Sequence, residues 1–146
     1  MKNPFVLIVD DEPDILLMLR TGLESEGFTT VLAADGETAL ERVRERAPDV
    51  VLLDLMMPMV DGWAVIEALA EKQRRPGLII VSAKTRSNDI ARAYRLGADA
   101  YVTKPFSFDE LTATIREVAA RSVRERAAHR ESKLAEIGLP EPAPDA

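Results

Sequence analysis

Three of the apolar runs in this chain end directly on side chains that carry charge or a reactive hydroxyl. "FVLIV" (5–9) is followed by Asp10, Asp11 and Glu12, "VVLL" (50–53) by Asp54, and "LIIV" (78–81) by Ser82. A shorter run, "AYV" (100–102), stands just before Lys104. An ionised carboxylate placed straight after β-branched and aliphatic residues is costly unless water, a cation or a reaction compensates it. Gathered in one crevice, three or four such acids repel one another, and some stay protonated unless a cation is present. The chain has one histidine, His129, and no cysteine. A hard, oxygen-preferring divalent ion such as Mg²⁺ (or Mn²⁺) is therefore the fitting partner. The same counts exclude a histidine metal cluster, a Ser-His-Asp triad, thiolate chemistry and a disulfide scaffold.

The elements that must position these groups follow from periodicity. "TTVLA" (29–33) completes a set of five strand candidates, and each is followed by a helical pattern. The first helix starts near Pro13, a residue suited to an opening helical turn, and sets Ile15, Leu19 and Leu23 at four-residue steps. The second groups Ala39, Leu40, Val43 and Ala47, and the third Trp63, Ile66 and Ala70. The fourth groups Ile90, Ala93 and Tyr94, and the fifth Leu111, Ile115 and Val118. Five strands alternating with five helices predict an α/β fold: a five-stranded doubly wound parallel sheet, covered on both faces.

Length and composition are consistent with this. The 146 residues predict one domain, with 47% apolar and 30% charged residues, as in ordinary globular chains. No apolar run approaches the roughly 20 residues that span a bilayer, and the opening five-residue run is a strand rather than a signal peptide. A cytoplasmic location is expected, with no membrane contact. The net charge of −6 argues against direct nucleic-acid binding.

Several separated motifs together resemble the receiver domain of two-component response regulators. They are "VDDE" (9–12), "LLDLMMPMVDG" (52–62), "SAK" (82–84), "GADAYVTKPF" (97–106) and the "FDEL" that opens the last helix. The resemblance covers residues 4 to 121. It implies strand order 2-1-3-4-5, the flavodoxin-like receiver fold, with Asp10, Asp11, Asp54, Ser82 and Lys104 beyond the carboxyl ends of neighbouring strands. It implies Asp54 as phosphoacceptor, with Mg²⁺ held by Asp10, Asp11, Asp54 and the Met56 backbone carbonyl. Of the two adjacent acids, it favours Asp11 for direct metal contact. It also implies that Lys104 neutralises a phosphoryl oxygen, and that Ser82 and the aromatic Tyr101 form a switch. Such a domain catalyses only its own phosphorylation and dephosphorylation. Its phosphoryl group comes from a sensor histidine kinase or a histidine phosphotransfer protein, and its altered surface controls a downstream protein that the sequence does not identify.

Other readings attach to single residues. Asp54 alone suits a turn or cap, Ser82 a helix cap, and Tyr101 the core. Trp63 and Tyr94 read as packing residues, and His129 as a solvated surface residue. A flavodoxin-like cofactor module would need a phosphate cradle after the first strand, where "DDEPD" would repel phosphate. An aspartyl phosphatase would carry a second acid two residues after the nucleophile, which "DLMMP" lacks. A degenerate receiver serving as a phosphorylation-independent scaffold would not be expected to retain all five site residues.

On the first helix, Leu17 groups with Arg20, Thr21 and Glu24 on the polar face, and with a partly exposed Leu16 it is a candidate kinase contact. The expected organisation is a receiver domain over 1–121, a helical extension of the last helix over 122–139, and a disordered tail over 140–146. Gly138, Leu139 and Pro140 form the stop signal of that extension. The chain is expected to be a stand-alone receiver or one cut from a longer protein. Similar receivers in DNA-binding regulators dimerise through the fourth helix, fifth strand and fifth helix, using cross-subunit charge pairs. Here Ala100 and Thr114 occupy two of the charge positions, leaving Asp99, Glu110 and Arg116. In the extension, sevens from Leu111 reach Val118, Glu125 and Ser132, so no coiled-coil seam forms. A monomer, or a weak dimer strengthened by phosphorylation, is expected, with the late helix solvated or laid against a partner.

Overall fold

Five of the apolar runs form strands that lie side by side: β1 (Phe5–Val9), β2 (Thr29–Ala33), β3 (Val50–Asp54), β4 (Gly77–Ser82) and β5 (Ala100–Thr103). The computed structural model describes residues 3–55, 62–72, 75–83 and 86–137. The strands pair in parallel in the order β2-β1-β3-β4-β5. Between and after them run α1 (Pro13–Ser25), α2 (Gly36–Glu45), α3 (Gly62–Ala70), α4 (Ser87–Leu96), α5 (Phe108–Ala120) and α6 (Val123–Ile137). No described helix is long and apolar enough to cross a membrane.

Strand parity divides the interior into two cores, because successive side chains point to opposite faces. Val6, Ile8, Val50, Leu52, Ile79, Val81 and Val102 pack with Leu16, Leu19 and Leu23 of α1 and Leu111, Ile115 and Val118 of α5. Leu7, Val9, Val51, Leu53, Leu78 and Ile80 face α2, α3 and α4 through residues such as Ala39, Val43, Ile66, Leu69 and Ala93. Both faces are covered, which is why the strands read as continuous apolar runs rather than alternating ones.

Several local expectations are corrected. Asp54 is the last residue of β3, within the strand rather than past it. Ala47 lies outside α2 and is exposed; the helix stops at Glu45 because Pro48 disfavours helical backbone at the residue before it. On α1, Leu16 is buried and Ile15 only half-buried, so the inward stripe is Leu16, Leu19 and Leu23. Leu17 is 62% exposed, and its exposed neighbour is Met18 rather than Leu16. On α4, Ala91 is buried where Ile90 is only partly so.

The largest correction concerns the end of the chain. α5 does not extend; the backbone at Arg121 turns to φ −84° and ψ 141°, and a separate helix begins. Ser122 and Glu125 cap it reciprocally: the Glu125 amide donates to Ser122 Oγ at 3.1 Å and the Ser122 amide to Glu125 Oε1 at 2.8 Å. α6 then packs on α4 of the same chain. Asp99, expected as a surface charge for dimer pairing, is fully buried beneath it. His129 is half-buried rather than solvated. Gly138, Leu139, Pro140 and the tail lie outside the described residues.

Gly97 ends α4 with φ +128°, its amide donating to the Ala93 and Tyr94 carbonyls. Its own carbonyl accepts from Arg75 Nη2 at 2.8 Å, and a Cβ there would collide with that guanidinium. Gly97→Ala should therefore cost about 1–3 kcal/mol from the backbone conformation alone. A lowered urea midpoint at unchanged slope would register this, and an unchanged midpoint would refute it.

Candidate phosphoacceptor site

Parity also selects which polar groups meet at the carboxyl end of the sheet. Asp10 continues the alternation of Val6 and Ile8, Asp54 that of Val50 and Leu52, and Lys104 that of Val102. All three arrive above the core shared with α1 and α5. Lys104 Nζ lies 3.2 Å from Asp54 Oδ2 and 3.7 Å from Asp10 Oδ2. The two carboxylates are only 5% and 4% exposed, and the lysine 27%. A cavity of about 10 Å³, lined by Ile8, Asp10, Asp54, Val81, Lys104 and Phe106 among others, lies at this junction. That is room for about one water molecule.

Burial is the main force on Asp10 and raises its pKa above the usual carboxylate range, and the Asp54 and Asp11 charges push it further the same way. The Glu12 amide, which donates to Asp10 Oδ1 at 3.0 Å, and the Lys104 charge oppose the rise. Loss of a proton from Asp10 is therefore favoured by whatever brings positive charge to the crevice.

Asp10, Asp11 and Glu12 also bring one carboxylate oxygen each within 4.8 Å of one another. This all-oxygen donor set fits a hard divalent cation such as Mg²⁺, which prefers few protein carboxylates and keeps several waters. Asp11 is half-buried and Glu12 exposed, so the cluster opens to solvent. Glu12 was legible as an acid after the first strand but not as a member of this group. Met56 lies outside the described residues.

The remaining expected residues meet on the other face. Ser82 continues the parity of Leu78 and Ile80, and Tyr101 packs against the core of α2, α3 and α4. The Ser82 hydroxyl hydrogen-bonds the Tyr101 hydroxyl. Burial raises the Tyr101 pKa, and this bond partly offsets the rise. Ser82 is fully buried, and its carbonyl accepts from the Lys104 amide at 2.9 Å, so the hydroxyl and the lysine share one backbone anchor. The Lys104–Pro105 peptide bond is cis. Tyr94, read as packing, is also polar in use: its hydroxyl is hydrogen-bonded by the Tyr101 backbone amide. That pairing has no sequence signal, since it joins α4 to the outer edge of β5.

Comparisons with known proteins agree with this arrangement. Residues 6–116 match the response regulator receiver domain family. The chain is 37% identical over 120 residues to the alkaline phosphatase synthesis transcriptional regulatory protein PhoP of Bacillus subtilis, covering 82% of this chain and 50% of that one. It is 43% identical over 117 residues to the transcriptional regulatory protein KdpE of Mycobacterium tuberculosis, covering 80% and 51%. The chain thus spans about half the length of the curated relatives it matches. Among solved structures, the Francisella response regulator 1452 receiver domain superposes with a TM-score of 0.76 at 34% identity, covering 80% of this chain and 97% of that one. The Vibrio cholerae chemotaxis protein CheY4 gives 0.74 at 26% identity, covering 80% and 98%. With its 2-1-3-4-5 sheet, its acidic crevice and this match over most of its length, the chain belongs to the response regulator receiver domain family of two-component signalling.

Proposed function

We propose that this receiver takes a phosphoryl group from a phosphohistidine onto Asp54, and that the change alters its surface toward a downstream partner. The observation that carries the reading is the Lys104 ammonium seated between the buried Asp54 and Asp10 carboxylates. In the transfer, an Asp54 oxygen attacks phosphorus, a P–O bond forms, and the P–N bond to the donor imidazole breaks. The leaving imidazole keeps the bonding electron pair and takes up a proton. Lys104 offers its positive charge to a phosphoryl oxygen, and the Ser82 hydroxyl can donate to another. These are electrostatic and positioning roles, as phosphoryl transfer demands. Asp10 and Asp11 would hold Mg²⁺, with Glu12 beside them. When bound, that ion supplies charge neutralisation between the phosphoryl oxygens and the acids. Hydrolysis returns the carboxylate, with water attacking phosphorus.

The donor would be a sensor histidine kinase or a histidine phosphotransfer protein. Curated relatives are transcriptional regulators, so the output of a longer protein containing this segment would be transcriptional control. The segment itself, at net charge −6, is poorly suited to contact nucleic acid directly.

With Mg²⁺ and acetyl phosphate, the chain should gain the mass of one phosphoryl group, and Asp54→Asn should abolish it. An equal yield on the Asn variant, as an acid-stable, base-labile adduct, would reject the assignment. Asp11→Asn should weaken Mg²⁺ binding at least about tenfold, as read by titration; unchanged affinity would remove Asp11 from the metal set. Leu17 and Met18 form an exposed apolar pair on α1, 62% and 51% accessible. Leu17→Glu should slow transfer from the cognate kinase and leave acetyl phosphate labelling at the wild-type rate. Equal loss with both donors would place Leu17 in folding rather than docking.

A further inference from the structure

At the amino end of the sheet, opposite the acidic crevice, the local charge has the other sign. Asp49 precedes β3, Arg75 precedes β4, and the Asp49 carbonyl accepts from the Gly77 amide at 2.9 Å. Facing them, α5 ends and α6 begins, and a cavity of about 480 Å³ lies between. Arg75, Arg121 and Arg126 all line it. Arg126 is buried, with Nη2 donating to the Arg75 carbonyl at 2.9 Å and Nη1 3.6 Å from Asp99 Oδ2. Gly77 leaves room for it, since a Cβ there would meet Arg126 Nη1 and Val118. Arg121 meets Glu117 at 4.0 Å, the outer limit of an ion pair. Each guanidinium has five donors, more than these partners use. Among the described residues, Arg126 Nε is the one buried side-chain nitrogen or oxygen with no hydrogen-bond partner. A buried donor without an acceptor costs stability, so this end of the fold is short of acceptors.

The nearby acids do not balance the arginines. Arg75, Arg121, Arg126 and Arg130 stand against Asp49, Asp99 and Glu117, a positive surplus in a chain of net charge −6. Asp49 Oδ2 is taken by the Phe5 amide at 2.8 Å, and Asp99 is fully buried. Burial and the Arg130 charge push the Arg75 pKa below the usual guanidinium range; Asp99 opposes this and Arg126 adds to it. An anion in the cavity relieves that crowding. Guanidinium forks match phosphate oxygens in pairs. The rest of the wall is apolar: Pro48 and Val118 are buried, and Val123 is 57% exposed. The volume far exceeds what inorganic phosphate fills and falls within the roughly 300–1,000 Å³ of small-molecule sites.

We infer that this cleft binds a small organic phosphate, a phosphate chain carried on an apolar or planar body, through Arg75, Arg121 and Arg126. The phosphates meet the guanidinium groups, and the body lies against Pro48, Val118 and Val123. These residues belong to the approaches to β3 and β4, to the end of α5 and to α6, so the ligand fastens α6 to the rest of the domain. The site is separate from Asp54 and needs no metal ion.

The test is titration calorimetry on the full chain with ATP, in EDTA and at about 0.15 M salt, where long-range attraction is screened. ATP should bind at one site, pyrophosphate about tenfold more weakly, and adenosine not at all. Arg121→Gln should weaken ATP binding about tenfold through loss of a charge-assisted bond. Val123→Glu, which sets a carboxylate on the cavity wall, should weaken it too. Neither side chain is buried, so both variants should melt near the wild-type temperature. Arg124→Gln, the same charge change at an exposed position off the cavity, should bind ATP like the wild type, and so should Asp54→Asn. No ATP binding by the wild type, or equal weakening by Arg121→Gln and Arg124→Gln, would overturn the inference. Loss of binding in Asp54→Asn would overturn it by placing the ligand in the acidic crevice. Pyrophosphate binding as tightly as ATP would overturn the organic body. A phosphoserine peptide that binds where ATP does not would overturn the small ligand and make the cleft a protein contact.

Discussion

One ammonium group shared by two buried carboxylates sets the terms for this molecule. Asp10 and Asp54 are almost out of solvent, and Lys104 stands between them. Two negative charges against one positive leave the crevice short of positive charge, and Asp11 adds to the deficit. Burial and its acidic neighbours already push Asp10 toward its protonated form. A divalent cation would relieve this repulsion, and the proposed phosphoryl group would bring new negative charge for the lysine and the cation to balance. The fold needs β1, β3 and β5 to end at one level with matching parity; a slip of one residue in any strand would turn its polar group to the opposite face.

Much of this was legible because it is local. Apolar runs bounded by acids, Pro13 at a helix start and the alternation of strand and helix are read within a few residues of each other. Parity was legible too, and more of it could have been used. Counting in twos from Val50 and Val102 places Asp54 and Lys104 on one face, and counting from Leu78 places Ser82 on the other. The end of α2 was also open to reading, since Pro48 disfavours helix at Ala47. So was the start of α6: Ser122 followed three residues later by Glu125 is the pattern of a capping box. An amphipathic run that looks continuous can be two helices when a cap pattern sits inside it.

What could not be read depends on distant partners. Nothing near Asp99 says that it is buried; the guanidinium that meets it comes from Arg130, thirty-one residues on. Composition does not signal the docking of α6 either. The helix is strongly polar, and its contacts are made by arginines whose stems pack while their charges pair. Tyr94 reads as a core aromatic on α4, and only the position of β5 at the sheet edge brings the Tyr101 amide to its hydroxyl.

Asp99 and Asp54, buried acids at opposite ends of the sheet, make an instructive pair. Asp99 accepts a backbone amide and meets two guanidinium groups, so positive charge outnumbers negative around it. Such a carboxylate is held, and its oxygens are committed to bonds within the fold. Asp54 shares its lysine with Asp10, and negative charge outnumbers positive around it. An oxygen in that setting is better placed to act as a nucleophile once a cation approaches. Burial alone does not separate a structural carboxylate from a reactive one. The balance of charge around it does, and in this chain the short strand β5 runs from the committed acid, Asp99, to Lys104, the cation beside the proposed phosphoacceptor.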